Sequence, residues 1–265
     1  MPIKLVVDIG NVRIKGGVFN EKDALIYNFA LPAFPFSKDS FTSHIKEKAI
    51  ETAFISSVNN QLEMHVKTSL AEHAIPCDFI HYANLQLKLD VDKPEELGHD
   101  RIANAYGALA RFPLNDCIIV DIGSAITCDL VTRDGRFLGG MIYPGSELCA
   151  KSLTGHTDKF PLVADSKPAS LIGNSVETHI QSGLYYGQLG AIERLIAELK
   201  MVTPSPSSVK VVATGGATHT EDPLIGQAKS AFVQDLRDLV DSIEPNLTLV
   251  GLHEILKEQL LKKGS

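Results

Sequence analysis

The sequence predicts an α/β protein made of two related halves, each a mixed sheet flanked by helices. Three observations carry this. First, one phrase occurs twice: Lys4-Leu5-Val6-Val7-Asp8-Ile9-Gly10-Asn11 returns as Cys117-Ile118-Ile119-Val120-Asp121-Ile122-Gly123-Ser124. Each copy is an apolar, β-branched run that delivers a carboxylate, a glycine and a small polar side chain to its own end. Second, strand-like runs open each half and amphipathic stretches follow. Third, the 265 residues suit two domains of ordinary size. The expected halves are 1–114 and 115–265.

The elements follow in order. Lys4–Ile9 and Ile14–Asn20 read as a hairpin-like pair of strands, and Ala24–Leu31 as a third. Phe41–Ala49 is a short helix, and Ala53–Val58 a β-rich run ending at Asn59-Asn60. Gln61–His73 is helical, with Leu62, Val66 and Leu70 at helical spacing. Cys77–His81 is another strand. This β-β-β-α-β-α-β order departs from a plain dinucleotide-binding fold, which alternates from the start. It predicts an actin-like (ribonuclease H-like) half.

The polar stretch from Asn84 to Glu96 is expected to be a loop. In the helix that follows, Ile102, Tyr106 and Leu109 share a face, and Arg111-Phe112-Pro113 stops it. The pattern then restarts. Cys117–Val120 is a strand. Cys128–Thr132 and Arg136–Met141 are strands joined by Asp134-Gly135, a strong hairpin signal. Leu153–Pro168 reads as loop, Val176–Leu199 as a long helix interrupted by Gly183, Gly187 and Gly190, and Val209–Val212 as a strand leading to Thr214-Gly215-Gly216. Thr203–Ser208, rich in proline and serine, reads as a turn. Ser230–Ile243 is expected to be helical, Leu247–Val250 a strand and Leu252–Lys262 a last helix.

Composition excludes several function classes. The net charge is −7 and no basic run exists, so nucleic acid is not an expected partner. No run of about eighteen apolar residues is present, so no membrane-spanning helix is expected. Met1-Pro2-Ile3-Lys4 shows no signal-peptide pattern, and the four cysteines are scattered without metal-ligand spacing. A reduced, cytoplasmic protein is expected. None of the nine histidines shows the spacing of a zinc site.

The repeated Asp-Ile-Gly carries chemistry. A glycine after a strand lets backbone N–H groups approach a phosphate. A carboxylate beside a phosphate repels it unless a metal, a water or a proton bridges them. Two such strand ends facing a cleft suit a nucleotide phosphotransferase; a strand followed by an ordinary Gly-Asn turn is the plainer alternative. Asp100 opens a helix, where aspartate serves as an N-cap or, beside a substrate hydroxyl, as a general base.

The two Asp-Ile-Gly ends and Thr214-Gly215-Gly216 resemble the acetate and sugar kinase/Hsp70/actin superfamily. Four further phrases resemble the type III pantothenate kinases: Gly98-His99-Asp100-Arg101 with its Asn104-Ala105 helix, Gly139-Gly140-Met141-Ile142-Tyr143-Pro144-Gly145, Ser182-Gly183-Leu184-Tyr185-Tyr186-Gly187, and Ile55-Ser56-Ser57-Val58. The resemblance implies ATP-dependent phosphorylation of pantothenate to 4′-phosphopantothenate, the first step of coenzyme A synthesis. It also implies magnesium with ATP, a monovalent cation (potassium or ammonium), and a homodimer with the substrate site at its interface.

Carried over residue by residue, the resemblance makes Asp8, Ile9, Gly10, Asn11, Val12, Arg13, Ile14 and Lys15 the first ATP loop. Asp8 would orient magnesium through water, and Lys15 would reach a phosphate. Asp121 becomes the ligand of the monovalent cation and Ser124 an ATP contact. Asp100 becomes the general base, while Gly98, His99, Asp100, Arg101 and Val176 line the substrate site. Pairing of the Arg101 guanidinium with the pantothenate carboxylate is a chemical inference; a salt bridge to Glu95 or Glu96 is its alternative. Gly215 and Gly216 are expected near adenine or ribose. The chain departs from the family at Val12, Ile126 and Val91, which replace hydroxyl-bearing residues, and at Val176, flanked by Ser175 and Thr178. These departures leave a second reading, a non-catalytic relative of regulatory function.

Overall fold

The computed structural model of the chain describes residues 3–80, 85–156, 159–204, 206–219 and 226–263. His81 and Asn84, where a strand was expected to end and a loop to begin, and Ser205 of the proline-serine turn lie outside them. The chain divides into two compact units, residues 1–111 with 247–265, and residues 112–246. These are not the contiguous halves 1–114 and 115–265, because the last helix groups with the first unit.

In the first unit, β1 (Ile3–Ile9), β2 (Arg13–Phe19) and β3 (Leu25–Pro32) form an antiparallel meander. Asn20 closes its second turn, its Oδ1 accepting from the N–H groups of Lys22 and Ala24, both at 3.0 Å. After α1 (Lys38–Ile45), β4 (Ile50–Ser57) pairs parallel with β1. After α2 (Asn60–Glu72), β5 (Cys77–Phe79) pairs parallel with β4. The order is β3-β2-β1-β4-β5. Asn59 caps α2, its Oδ1 accepting from Leu62 N at 3.1 Å, so the polar pair Asn59-Asn60 starts a helix as well as ending a strand.

Alternation along β1 sorts its side chains. Leu5, Val7 and Ile9 enter a core with Ile14, Ala53 and Ile55, covered by Phe41 and Ile45 of α1 and Leu62, Val66 and Leu70 of α2. The opposite face, with Val6 and Asp8, lies beneath α7 (Leu247–Lys263) and, along β4, α3 (His99–Arg111). Phe19, on that face, stacks on His253 of α7 at 4.0 Å. The helices α3 and α7 cross closely because both contribute glycine: a Cβ on Gly251 would lie 1.6 Å from Ala103 O, and one on Gly107 2.5 Å from Leu247 O. Across this junction Thr248 Oγ1 donates to Asn104 Oδ1 at 2.8 Å. Leu247–Val250 is therefore the first turn of α7, not a strand: tertiary packing against α3 overrides its β-branched local preference. A two-residue strand, β6 (Lys88–Leu89), precedes α3.

The second unit repeats this plan. β7 (Cys117–Ile122), β8 (Ala125–Thr132) and β9 (Arg136–Pro144) form the meander. The expected turn is present, with Gly135 at φ 81° and its N–H donating to Thr132 O at 2.9 Å. β10 (Lys210–Thr214) pairs parallel with β7, and β11 (Ser242–Ile243) parallel with β10. The order β9-β8-β7-β10-β11 is that of the first sheet, so the fold is the expected duplicated actin-like one. Core residues Ile118, Val120, Ile126, Val211 and Ala213 pack against Tyr185, Ile192 and Ile196 of α5 (Val176–Val202) and Phe232 and Leu236 of α6 (Gly226–Leu236).

Two local expectations here need correction. The helix expected to reach Ile243 stops at Leu236, and Asp241 N and Glu244 N donate to Val211 O and Ala213 O, both at 2.8 Å. Ladder bonds to β10 thus claim that segment. Ser146–His156 forms a helix, α4, where Leu153–Pro168 was expected to be loop from its first residue. α4 begins at the Pro144-Gly145 turn, with Ser146 N donating to Gln188 Oε1 of α5 at 3.1 Å.

Candidate active site

In the first unit β1 carries Asp8 to the sheet's end, where it is 8% exposed. Its register partners are Lys15 on β2 and Ser56 on β4. Paired residues point to the same face, so the side chains of Asp8, Lys15 and Ser56 leave the sheet on the face beneath α3 and α7. Ser56 Oγ is buried without a hydrogen-bond partner. Ile9 and Ile14 form the last rung, leaving Gly10, Asn11, Val12 and Arg13 as the turn. Gly10 N donates to Arg13 O at 3.0 Å, so this N–H closes the turn; the exposed Asn11 and Val12 stand at its tip. Val12 O accepts from Ala33 N at 2.9 Å, which ties the tip to the chain after β3.

Gly98, His99, Asp100 and Arg101 open α3 and are each half-buried. A 3-10 turn at Pro94–Glu96 leads in, and Leu97 anchors it in the core. Asp100 Oδ1 accepts from Arg101 N at 2.8 Å, so the carboxylate leans on its own helix terminus. A Cβ on Gly98 would fall 2.4 Å from that oxygen; the glycine makes room for the carboxylate. Glu96, one expected partner of Arg101, pairs with Lys93 at 2.6 Å. Tyr106, two turns along α3, donates to Glu258 Oε2 of α7 at 2.7 Å and accepts from Gln86 N and Leu87 N at 3.0 and 3.2 Å. The segment leading to Gly98 is thereby held to both helices. Burial and the Glu258 carboxylate keep this phenol protonated well above its ordinary range.

In the second unit Asp121 is the penultimate residue of β7 and is half-buried, with Thr127 on β8 and Thr214 on β10 as register partners. Both hydroxyls are buried and lack a hydrogen-bond partner. Three oxygen-bearing side chains therefore share one face. Gly215, at φ 98°, lies against the carboxylate: a Cβ there would sit 2.3 Å from Asp121 Oδ1. Gly123 N donates to Ala125 O at 3.0 Å, and Ser124 O accepts from Gly145 N at 2.9 Å. The Pro144-Gly145 turn thus braces the Ser124 loop.

Val176 is the first residue of α5 and 47% exposed. Its flanking hydroxyls form a capping box: Ser175 Oγ accepts from Thr178 N at 3.2 Å and Thr178 Oγ1 accepts from Ser175 N at 3.0 Å. Both are engaged in starting the helix.

Sequence reasoning missed the in-register roles of Ser56, Thr127 and Thr214. Ser56 stood in a quoted phrase, but only strand pairing puts it beside Asp8. Among the described residues no group of three or more His, Cys, Asp or Glu side chains could hold a metal. Cation binding here would have to use one carboxylate with neutral oxygens.

A family model for type III pantothenate kinases matches residues 4–198. A Francisella tularensis subsp. holarctica protein named type III pantothenate kinase 1 is 35% identical over 225 residues, covering 80% of this chain and 88% of that protein. A Legionella pneumophila type III pantothenate kinase is 30% identical over 259 residues, covering 94% and 96%. Among solved structures, a Campylobacter jejuni protein described as a conserved putative Baf family transcriptional activator superposes with TM-score 0.57 at 22% identity, over 97% of this chain and 99% of that one. An activator of 2-hydroxyisocaproyl-CoA dehydratase from Clostridium difficile, solved with bound ADPNP, gives 0.51 at 11% identity, over 99% and 98%. The last two likenesses are of fold alone.

Proposed function

The chain belongs to the type III pantothenate kinase family, and we propose that it phosphorylates pantothenate at the expense of ATP, giving 4′-phosphopantothenate and ADP. The observation that carries this reading is the family match over residues 4–198, a span that contains Asp8, Asp100, Arg101 and Asp121. The non-catalytic reading is not favoured, since curated relatives over 80–94% of the chain are named as kinases.

Phosphoryl transfer is mostly positioning and charge stabilisation. Asp100, at the head of α3, accepts the proton of the pantothenate hydroxyl as its oxygen bonds to the γ-phosphorus and the bond to the β-phosphate oxygen breaks. Arg101 offers a planar fork to the substrate carboxylate. Val176 supplies an apolar contact where a threonine is usual. Asn11 and the tip of the 10–13 turn hold phosphate, and Lys15 contributes a point charge. Ser124 offers a hydroxyl to phosphate.

Magnesium bound with ATP would be held on the Asp8 side and neutralise charge developing on the phosphates. A monovalent cation, potassium or ammonium, fits Asp121, since two buried hydroxyls there lack partners. We further propose a homodimer. It is supported by exposed Leu171 and Ile172, 64% and 82% exposed, which line one depression with Gly183 and Gly187, where a Cβ would meet nothing within 4 Å. A cytoplasmic location accompanies the use of ATP. No helix among the described residues is long and apolar enough to cross a membrane.

The test is ADP release coupled to pantothenate, with and without potassium, in the wild type and Asp100→Asn. Asparagine keeps an oxygen to accept from Arg101 N but cannot accept the proton. Turnover is expected to fall by about 10²–10⁴-fold with melting unchanged. No pantothenate-dependent ADP release from the wild type would overturn the kinase reading; near-normal turnover in the variant would remove Asp100 as base.

A further inference from the structure

Ser56 Oγ and Thr214 Oγ1 are buried hydroxyls without hydrogen-bond partners, in residues 1% and 0% exposed. Such a group costs about 1–3 kcal/mol, and folded proteins keep few of them. These two occupy the same position in the duplicated fold. Each lies on the strand that pairs parallel with the first strand of its unit, and each is the register partner of the penultimate aspartate, Asp8↔Ser56 and Asp121↔Thr214. The preceding rungs are apolar in both sheets: Val6↔Phe54 and Val7↔Ile55, and Ile119↔Val212 and Val120↔Ala213. A hydroxyl therefore appears, twice, at the rung that faces the carboxylate.

We propose that Ser56 and Thr214 are the second oxygen donors of two cation positions, Ser56 with Asp8 for the divalent ion that accompanies the nucleotide, and Thr214 with Asp121 for the monovalent ion. The inference rests on the reading of Asp8 and Asp121 given above and adds the residues that complete them. A neutral hydroxyl beside a single carboxylate adds a hard oxygen without adding charge, which suits ions that must arrive and leave with substrate. The opposite neighbour separates the two positions. Lys15 is the other register partner of Asp8, so the divalent position shares its face with a lysine. Thr127 flanks Asp121 with another buried hydroxyl that lacks a hydrogen-bond partner, so both register neighbours of this carboxylate are hydroxyl-bearing.

The experiment measures ion binding. Mn2+ affinity is read by electron paramagnetic resonance on the full chain with a non-hydrolysable ATP analogue, and K+ affinity by the shift in melting temperature with K+ concentration. Ser56→Ala is expected to weaken Mn2+ by about tenfold or more and leave K+ unchanged; Thr214→Val is expected to do the reverse. Ser56→Thr and Thr214→Ser, which keep the oxygen, are expected to retain wild-type affinity. Without cations, the Ala and Val variants should melt at or above the wild type, because an orphan hydroxyl has been removed. Asp8→Asn and Asp121→Asn serve as references. Loss of binding in the aspartate variants with none in Ser56→Ala and Thr214→Val overturns this inference alone. Retained binding in all four overturns the cation reading and this inference with it. A lower cation-free melting temperature with unchanged ion affinity identifies the hydroxyls as structural and also overturns it.

Discussion

The strand ends at Asp8 and Asp121 are built on one plan and differ at three places. In each, the aspartate is the penultimate residue of the first strand of a meander, a glycine N–H closes the turn, and a parallel strand supplies a buried hydroxyl. The first turn has four residues between Ile9 and Ile14, the second three between Ile122 and Ile126. The antiparallel partner is Lys15 in one unit and Thr127 in the other. Asp121 is backed by the left-handed Gly215. The cross-strand residue matters most for charge. In the first unit the carboxylate shares its rung with a lysine; in the second it shares it with a threonine hydroxyl. A single position, read through strand register, separates a lysine from a hydroxyl beside the two carboxylates.

The largest expected effect breaks that difference directly. Asp121→Ala should remove activation by potassium, whereas Lys15→Met should lower kcat/KM for ATP by about tenfold or more while keeping the potassium response, a fixed charge to phosphate being worth roughly 1.5–3 kcal/mol. Potassium titrations of both variants against ADP release decide it. If Asp121→Ala keeps the wild-type potassium curve, the second carboxylate is not the cation ligand. If Lys15→Met loses the response, the two ends are not independent in the way their neighbours suggest.

Much of this comparison was legible in the sequence. The repeated phrase located both carboxylates, and the strand-first order of each half gave the duplicated architecture. The unread part depended on contacts between distant segments. Ser56 and Thr214 lie 48 and 93 residues from their aspartates, and only parallel pairing brings them together. α7 was divided into a strand and a helix because Leu247–Val250 is locally β-like; its packing on α3 through Gly251 has no signal within the segment. The 10–13 turn differed in a smaller way. Its closure by Gly10 N on Arg13 O is a local bond that the Asp-Ile-Gly phrase does not announce.

A second prediction sharpens the contrast between the glycines. Gly215→Ala would force a side chain into a left-handed backbone and against Asp121 Oδ1 at 2.3 Å. The conformational strain and the clash together should cost about 2–5 kcal/mol. Gly10→Ala meets only Arg13 O, at 3.1 Å and without positive φ, and should cost about 1 kcal/mol or less, the neighbour having to yield by a few tenths of an ångström. Urea denaturation of both variants checks the ranking. Equal losses would mean that Gly215 is not fixed by the carboxylate it backs.

The smallest expected effect concerns acid, and it separates the units by their histidines. Among the described residues, the buried histidine is His253 of the first unit. It stacks on Phe19, and its Nε2 lies 2.8 Å from Asp23 Oδ1. Burial lowers its pKa; the Asp23 contact opposes this, while Lys4 and Lys257 reinforce it. At neutral pH the ring is therefore uncharged, with Nε2–H donating to the carboxylate. The folded protein resists a proton that the unfolded chain accepts near pH 6.5, so this contribution is complete above that pH and declines as pH falls below it. Asp23 also has a lowered pKa, and its own contribution is lost only in the more acidic window below the ordinary aspartate range. His253→Gln keeps a donor for Asp23 and removes the titration. Its melting temperature should change less than that of the wild type between pH 7.5 and 5.5, and identical slopes would show that His253 does not set the first unit's sensitivity to mild acid.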